Sequence, residues 1–368
     1  MLASCHILKL PDELLLRVVQ YIPPTTPRLV PGSTKEQRPL SDYRSVSLVC
    51  RQLNRAATSV IYAHYAHDST RTSSAPFIAT LFRQPRLASL VHSVKEITVA
   101  RNKFEPFERS AGDTESLIPV IRHLDFPDKD HMVLLCRSGK DCICNVEAAL
   151  ILAMTPNIQT LALHPMVQDT SMTNLPSVAS VSWNMLLAIA QGLAFGLAHR
   201  FEHLRVLKLN MFGVSATSLS IILLLKSLVH LTLVGYDNED YESGGIPWEC
   251  PPKESSVRTI RLDRFEIKVQ LIASLISSCR SLEGFALCIP NGLDPHRDIS
   301  KYSLLIEELH RHQPELLYLE IIDERHMSER KDSEDQIWFD QLKNFQSLRY
   351  LAIPLELIGE FISVDAIP

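Results

Sequence analysis

HLRVLKL, residues 203–209, is followed at 227–233 by SLVHLTL, and both read apolar-x-x-apolar-x-apolar. The same pattern recurs in SVKEITV (93–99), NIQTLAL (157–163), SVRTIRL (256–262), SLEGFAL (281–287), ELLYLEI (315–321) and SLRYLAI (347–353). From Leu204 onward, the first apolar residues are spaced by 24, 29, 25, 34 and 32 residues. The alternation at the end of each unit is that of a strand with one buried face. The intervals are too long for hairpins and long enough for a returning helix. IILLLKSL (221–228), VQLIASLISSC (269–279), YSLLIEELHRH (302–312) and IWFDQLKNF (337–345) supply apolar segments of helical length at those places. Helix–strand units joined by right-handed crossovers give a parallel sheet with helices on one side.

Such a period is that of a leucine-rich repeat, in which each unit buries its apolar face only by stacking on the next. The expected fold is therefore α/β: an irregular solenoid over 77–368, with a parallel sheet on the concave side and helices on the convex side. Leu207 and Leu209 point inward, and the residues between and after the leucines point to the concave face. These are His164, Lys208, Asn210, His230, Thr232, Arg261, Asp263, Tyr318, Glu320 and Tyr350, the candidate target-binding surface. Three insertions interrupt the period: a long polar stretch at 100–145, an acidic one at 236–254 with Trp248 at its centre, and a charge run at 324–336. Long loops on a rigid scaffold often carry binding.

Composition agrees with a repeat architecture. Leucine supplies 53 of the 368 residues and glycine only 12, so glycine-rich phosphate loops are scarce while leucine has to fill a core. A net charge of −5 offers no general cationic field for nucleic acid or an anionic membrane. Lys9, Asp12 and Glu13 interrupt what a signal peptide would need as an apolar run, and eight dispersed cysteines fit reduced thiols. A cytoplasmic or nuclear, non-secreted chain is expected. The uncharged stretch from Trp183 to Ala198 is too short to span a bilayer and reads as a buried helix.

The N-terminus follows a different pattern. In LPDELLLRVVQYI (10–22), Pro11 suits a first helical position, and Asp12 and Glu13 face the positive end of the helix dipole. Leu14, Leu15, Val18, Val19 and Ile22 fall on one helical stripe, and Pro23-Pro24 stop it. A second helix is expected over 41–63, with Val46, Val49, Cys50, Leu53, Ala57, Val60 and Ile61 on one side. LPDELLLRVVQYI followed by DYRSVSLVCRQLNRAATSVIY resembles the F-box, matching it at Leu10, Pro11, Glu13, Leu14, Leu15, Val18, Ile22, Leu48, Val49, Cys50 and Arg51. Two features depart from that family: the loop at 23–40 is longer than usual, and Leu53 stands where Trp or Phe is common. Together with the degenerate repeats, and with FIATLFRQPRLASLVHSVKEITV (77–99) leading into them, the chain is similar to fungal F-box proteins.

The resemblance implies a helical unit over 1–66 and a linker at 67–76. It also implies docking on a Skp-type adaptor, and through it on a cullin, by Leu10, Pro11, Leu14 and Leu15, with Val49, Cys50 and Leu53 completing the surface. The repeats would then hold a target protein for a ubiquitin ligase of the SCF type, with no catalytic residue and no cofactor in this chain. The alternative is an interaction scaffold that does not lead to degradation. A remote third reading, a metal-dependent enzyme, rests on His131, Cys136, Cys142 and Cys144. Their H-x4-C-x5-C-x-C spacing fits zinc poorly, and no metal is expected. GxGxxG, GxxxxGK[ST], GxSxG and HExxH are all absent from the sequence.

Overall fold

The computed structural model describes residues 10–21, 40–68, 73–97, 111–126, 129–138, 143–163, 181–193, 199–211, 214–236, 247–265, 269–289, 302–323 and 344–352. Three helices come first: α1 (Asp12–Gln20), α2 (Leu40–Ser47) and α3 (Arg51–Ala63). The single helix expected over 41–63 is two, broken at Leu48–Cys50. Cys50 is extended (φ −160, ψ 167) and its Sγ accepts the Leu53 N–H, capping the new helix. Apolar periodicity runs through such a break unmarked, because a three-residue gap is close to one helical turn and changes the phase little.

The strands β1 (His64–Asp68), β2 (Ser93–Ile97), β3 (Thr160–Leu163), β4 (Val206–Asn210), β5 (His230–Tyr236), β6 (Thr259–Phe265), β7 (Gly284–Ile289), β8 (Tyr318–Asp323) and β9 (Tyr350–Ala352) form one sheet. They lie side by side in chain order, every neighbouring pair parallel. Among the described residues nine more helices lie between the strands. They are α4 (Ala75–Arg83), α5 (Pro85–Ala88), α6 (Ala111–His123), α7 (Lys129–Ser138), α8 (Ile143–Met154), α9 (Val181–Ala190), α10 (Ala216–Ile222), α11 (Val269–Ser278) and α12 (Tyr302–His310). The fold is an α/β solenoid-like array of stacked units, as the spacing predicts.

From β3 to β9 each strand begins about three residues later than its apolar pattern, whereas β2 begins with its pattern, so that Val94 registers with Leu161, the second apolar residue of the next unit. The first apolar residue of a unit, such as Ile158, Leu204, Leu228, Val257, Leu282 or Leu316, precedes the strand and is fully buried. The carbonyl just ahead of each strand from β2 to β8 then accepts two backbone N–H groups from the next unit. His92, Gln159, Arg205, Val229, Arg258, Glu283 and Leu317 all do so, at 2.7–3.1 Å. This repeated double acceptance holds consecutive units in one register, so the inward residues Leu161, Leu207, Leu231, Ile260, Phe285, Leu319 and Leu351 align across the sheet. Together with the helices they build one continuous core.

Other elements depart from the sequence reading. The stretch 100–145 holds α6, α7 and the start of α8, with Leu117, Ile121, Phe126, Met132 and Cys136 in the core; its polar average hides short apolar runs, and Pro119 lies inside α6. Helix α10 starts at Ala216 rather than near 221, because the Ser215 hydroxyl accepts the Ser218 N–H and caps it there. Trp248, expected in an inserted loop, packs on the core and donates from Nε1 to Ser278 Oγ at 2.8 Å. The run 324–336, residues 337–343 of the helix expected over 337–345, His164 and Ile22 lie outside the described residues, and Asn344 and Phe345 are not helical. No described helix is long and apolar enough to cross a membrane.

Among the described residues, the helical unit joins the sheet without a break at the end of α3. Helix α3 runs directly into β1, which straddles the position taken as the end of that unit. Tyr65 stacks on Phe77 of α4 at 4.2 Å and donates its hydroxyl to Ser74 at 2.6 Å. The fully buried Glu147 of α8 accepts the Ser74 N–H and the Ser73 hydroxyl, fastening the start of α4.

Candidate functional site

Two surfaces carry the residues singled out from the sequence. On the helical unit, the stripe of α1 divides in two. Leu15 and Val19 are fully buried with Tyr43, Ala56 and Ala57, with Leu10, Val46, Leu53, Val60 and Ile61 packed around them. Leu15 is thus a core residue with no surface to offer a partner, and Leu53 is half-buried beside it. Leu14 and Val18, one position earlier in each turn, are 44% and 39% exposed, with Tyr21 continuing the same edge. The helix break turns Leu48 (85% exposed) and Val49 (69%) out into solvent rather than along the buried side of a helix. Pro11 and Glu13 are exposed, and Cys50 is half-buried.

The start of α1 is pinned to α3 by Gln52, whose side-chain amide donates to the Leu10 carbonyl at 3.3 Å, and by Arg55, 3.5 Å from Asp12. Beside the break lies an open depression of about 790 Å³ lined by Ser47, Leu48, Cys50, Arg51, Asn54 and Arg55. Exposed leucine and valine beside two arginines suit protein contact. Among the described residues, eight large apolar side chains are exposed, and five of them, Leu14, Val18, Tyr21, Leu48 and Val49, fall in this unit.

The second surface is the face of the sheet opposite the helices, where Lys208, His230 and Arg261 are exposed and Thr232, Asp263 and Glu320 half-buried. Strand register sets these residues in rows. Lys208, Thr232, Arg261, Ala286 and Glu320 form one row, and His230, Thr259, Gly284, Tyr318 and Tyr350 the next. Asn210 is in a third row with Val234, Asp263 and Cys288.

The structure brings one subset into direct contact. Arg261 Nε donates to Asp263 at 2.8 Å, and its Nη1 reaches across β7 to donate to Glu320 at 3.1 Å. That reach depends on Ala286, the small residue in register between them. Tyr318 donates its hydroxyl to the same Glu320 oxygen at 2.7 Å and stacks on Tyr350 with ring centres 4.6 Å apart. Burial works against the Arg261 charge, but Asp263 and Glu320 outweigh it and hold the guanidinium above its usual range. The hydrogen bond to Glu320 pushes the Tyr318 hydroxyl up to about 12. Sequence reading named every member of this cluster except Ala286 and Gly284, whose part is to leave room. Lys208, Asn210 and His230 lie outside it on β4 and β5, and Thr232 borders it in register with Arg261.

Of the four residues considered for zinc, His131 is exposed on α7 while Cys136 is buried, and Cys142 lies outside the described residues. Among the described residues no three His, Cys, Asp or Glu side chains are grouped to hold a metal ion. Cys279 is fully buried, and burial pushes its thiol up to about 12, which disfavours the reactive thiolate. No protein-family model matches the chain, and no curated protein matches it.

Proposed function

We propose that this chain joins two other proteins, acting as the target-recruiting subunit of a cullin–RING ubiquitin ligase of the SCF type. In this reading the helical unit, which resembles the F-box, docks on a Skp-type adaptor, and the open face of the sheet holds the target. The observation that carries it is the concentration of exposed apolar side chains on α1 and at the α2–α3 break. An apolar edge of this kind, left in water by the smallest core in the molecule, marks a protein-binding surface. Leu14, Val18, Leu48 and Val49 form the contact, and Leu15 and Val19 hold the helix that presents it. The chain's contribution is proximity: it raises the effective concentration of target lysines near the ligase and makes no covalent bond itself.

A pull-down with the Skp-type adaptor tests this. Leu14→Asp combined with Val18→Asp abolishes capture while the far-ultraviolet circular dichroism stays that of the wild type. Capture that survives both charges sinks the adaptor assignment. Ubiquitination of a bound protein by the reconstituted ligase separates this reading from a scaffold that leaves its partners intact.

A further inference from the structure

We propose that the β6–β9 part of the open sheet face receives a basic side chain, arginine or lysine, from the bound protein. The inference rests on the reading of that face as target-binding and gives it a chemistry. Arg261, Asp263 and Glu320 meet there as one guanidinium between two carboxylates, so the cluster carries one negative charge in excess. The nearby cations sit at other places: Arg258, ahead of β6, is already paired with Glu283 at 2.8 Å, Arg349 lies ahead of β9, and Arg264 follows Asp263 where the backbone turns to φ 53. Lys208 is two strands away from Arg261, on β4.

The carboxylates are also set rather than loose. Glu320 Oε2 takes both the Arg261 Nη1 and the Tyr318 hydroxyl, so its position is fixed before any partner arrives. Immediately beside it, Tyr318 and Tyr350 are stacked nearly parallel, 4° apart, and Tyr350 is 48% exposed. A cation seated against Glu320 and the Tyr350 ring gains a charge-assisted hydrogen bond and a cation–π contact at once. An acidic side chain meets the excess negative charge, and an apolar one leaves the carboxylates without compensation. The neighbouring β4–β5 part carries the cationic Lys208 in the same row, which gives the face a direction along which a target segment is read.

The test uses the purified full chain, immobilised without any adaptor, to select from a display library of short random peptides. Enriched sequences carry Arg or Lys, and the best of them loses about tenfold in affinity with Glu320→Gln and again with Tyr350→Ala. Glu320→Gln keeps acceptors for Tyr318 and Arg261, so the cluster's geometry persists while its excess charge is gone. Lys226→Ala, in the exposed turn after α10, leaves the affinity unchanged. Enrichment of acidic or purely apolar peptides, no enrichment at all, or affinity indifferent to both substitutions overturns the proposal. So does self-association of the chain through Tyr350 in place of peptide binding. Because no adaptor is present, the result is independent of whether the helical unit docks.

Discussion

The helical unit and the sheet array solve the same problem, burying apolar surface, with different success. The array stacks unit on unit until Leu207, Leu231, Ile260, Phe285 and Leu319 share one unbroken core with the helices behind them. Among the described residues the helical unit buries five, two of them alanines, and leaves leucine, valine and tyrosine in water. Small assemblies bury a smaller share of their surface, so the unit has little stability of its own to lose and an apolar edge to give away. Under the proposed function, the array binds with its polar face and the helical unit with its apolar one.

Removing core volume separates the two most strongly. Leu231→Ala, in the middle of the sheet, costs about 2–5 kcal/mol. Stacked neighbours share that core, so a chemical-denaturation curve loses stability across the whole array. Leu15→Ala removes a comparable volume from the five-residue core, and its effect stays local. Hydrogen exchange then shows α1 and α2 unprotected while β4–β8 keep wild-type protection. If β4–β8 lose protection as well, the two cores are one cooperative unit and the comparison fails.

Acid pulls on the array through two buried histidines. His199 donates from Nε2 to the Leu152 carbonyl at 3.0 Å and accepts the Phe201 N–H at Nδ1; His312 does the same with Ile276 (3.1 Å) and Leu282. Each ring ties a helix end to the loop ahead of the next strand, and that bonding requires the neutral form. Burial, the largest cause in each case, holds both pKa values below the ordinary 6.5. The unfolded chain therefore binds protons first as pH falls. Stability from these groups is complete above about 6.5 and is lost as pH drops towards the depressed folded values, by at most about 1.4 kcal/mol per histidine per pH unit. Urea midpoints between about pH 7.5 and about pH 5.5 fall, and His199→Gln with His312→Gln flattens the slope. A slope unchanged in the double variant refutes the assignment.

Among the described residues the helical unit has no buried histidine, and its residues show what a sequence makes readable. A strand with one buried face announces itself by alternation, so eight of the nine strands stand out from their leucines. β1, HYAHD, lacks the alternation and exists because β2 pairs with it. The rows of the open face follow from the same alternation, so Arg261, Asp263, Tyr318, Glu320 and Tyr350 were foreseeable as neighbours on one side. Their union is not. Arg261 and Glu320 lie 59 residues apart in the chain, and they meet only because register sets Ala286 between them. Helical spacing placed Leu14, Leu15, Val18 and Val19 on one stripe without saying which edge lies inward, since that depends on where α3 packs.

On the array's surface the effects become small. Arg261→Met keeps the aliphatic stem over Ala286 and removes both ion pairs. Its side chain is 44% exposed, so solvent screens the pairs and the expected cost is about 0–1 kcal/mol. Asp263 and Glu320 then repel without a mediator. The loss grows at low salt and shrinks at high salt, which a pair of denaturation curves checks. A cost independent of salt would mean that the stem's packing, not the charge, holds this cluster.

The smallest effect on stability comes from the residue next to one of the largest. Leu14→Ala, one position from Leu15, removes a side chain already 44% exposed, and surface substitutions of this kind stay within about 0.5 kcal/mol. The same substitution takes away part of the apolar edge, so under the proposed function it weakens adaptor capture while the denaturation midpoint holds. Leu15→Ala weakens capture too, but through loss of the helix, and the midpoint or exchange pattern moves with it. Measured side by side, adjacent leucines thus separate a surface kept for a partner from a surface left over by poor packing. If Leu14→Ala lowers stability as much as Leu15→Ala does, α1 packs with both edges inward, and the apolar edge is core after all.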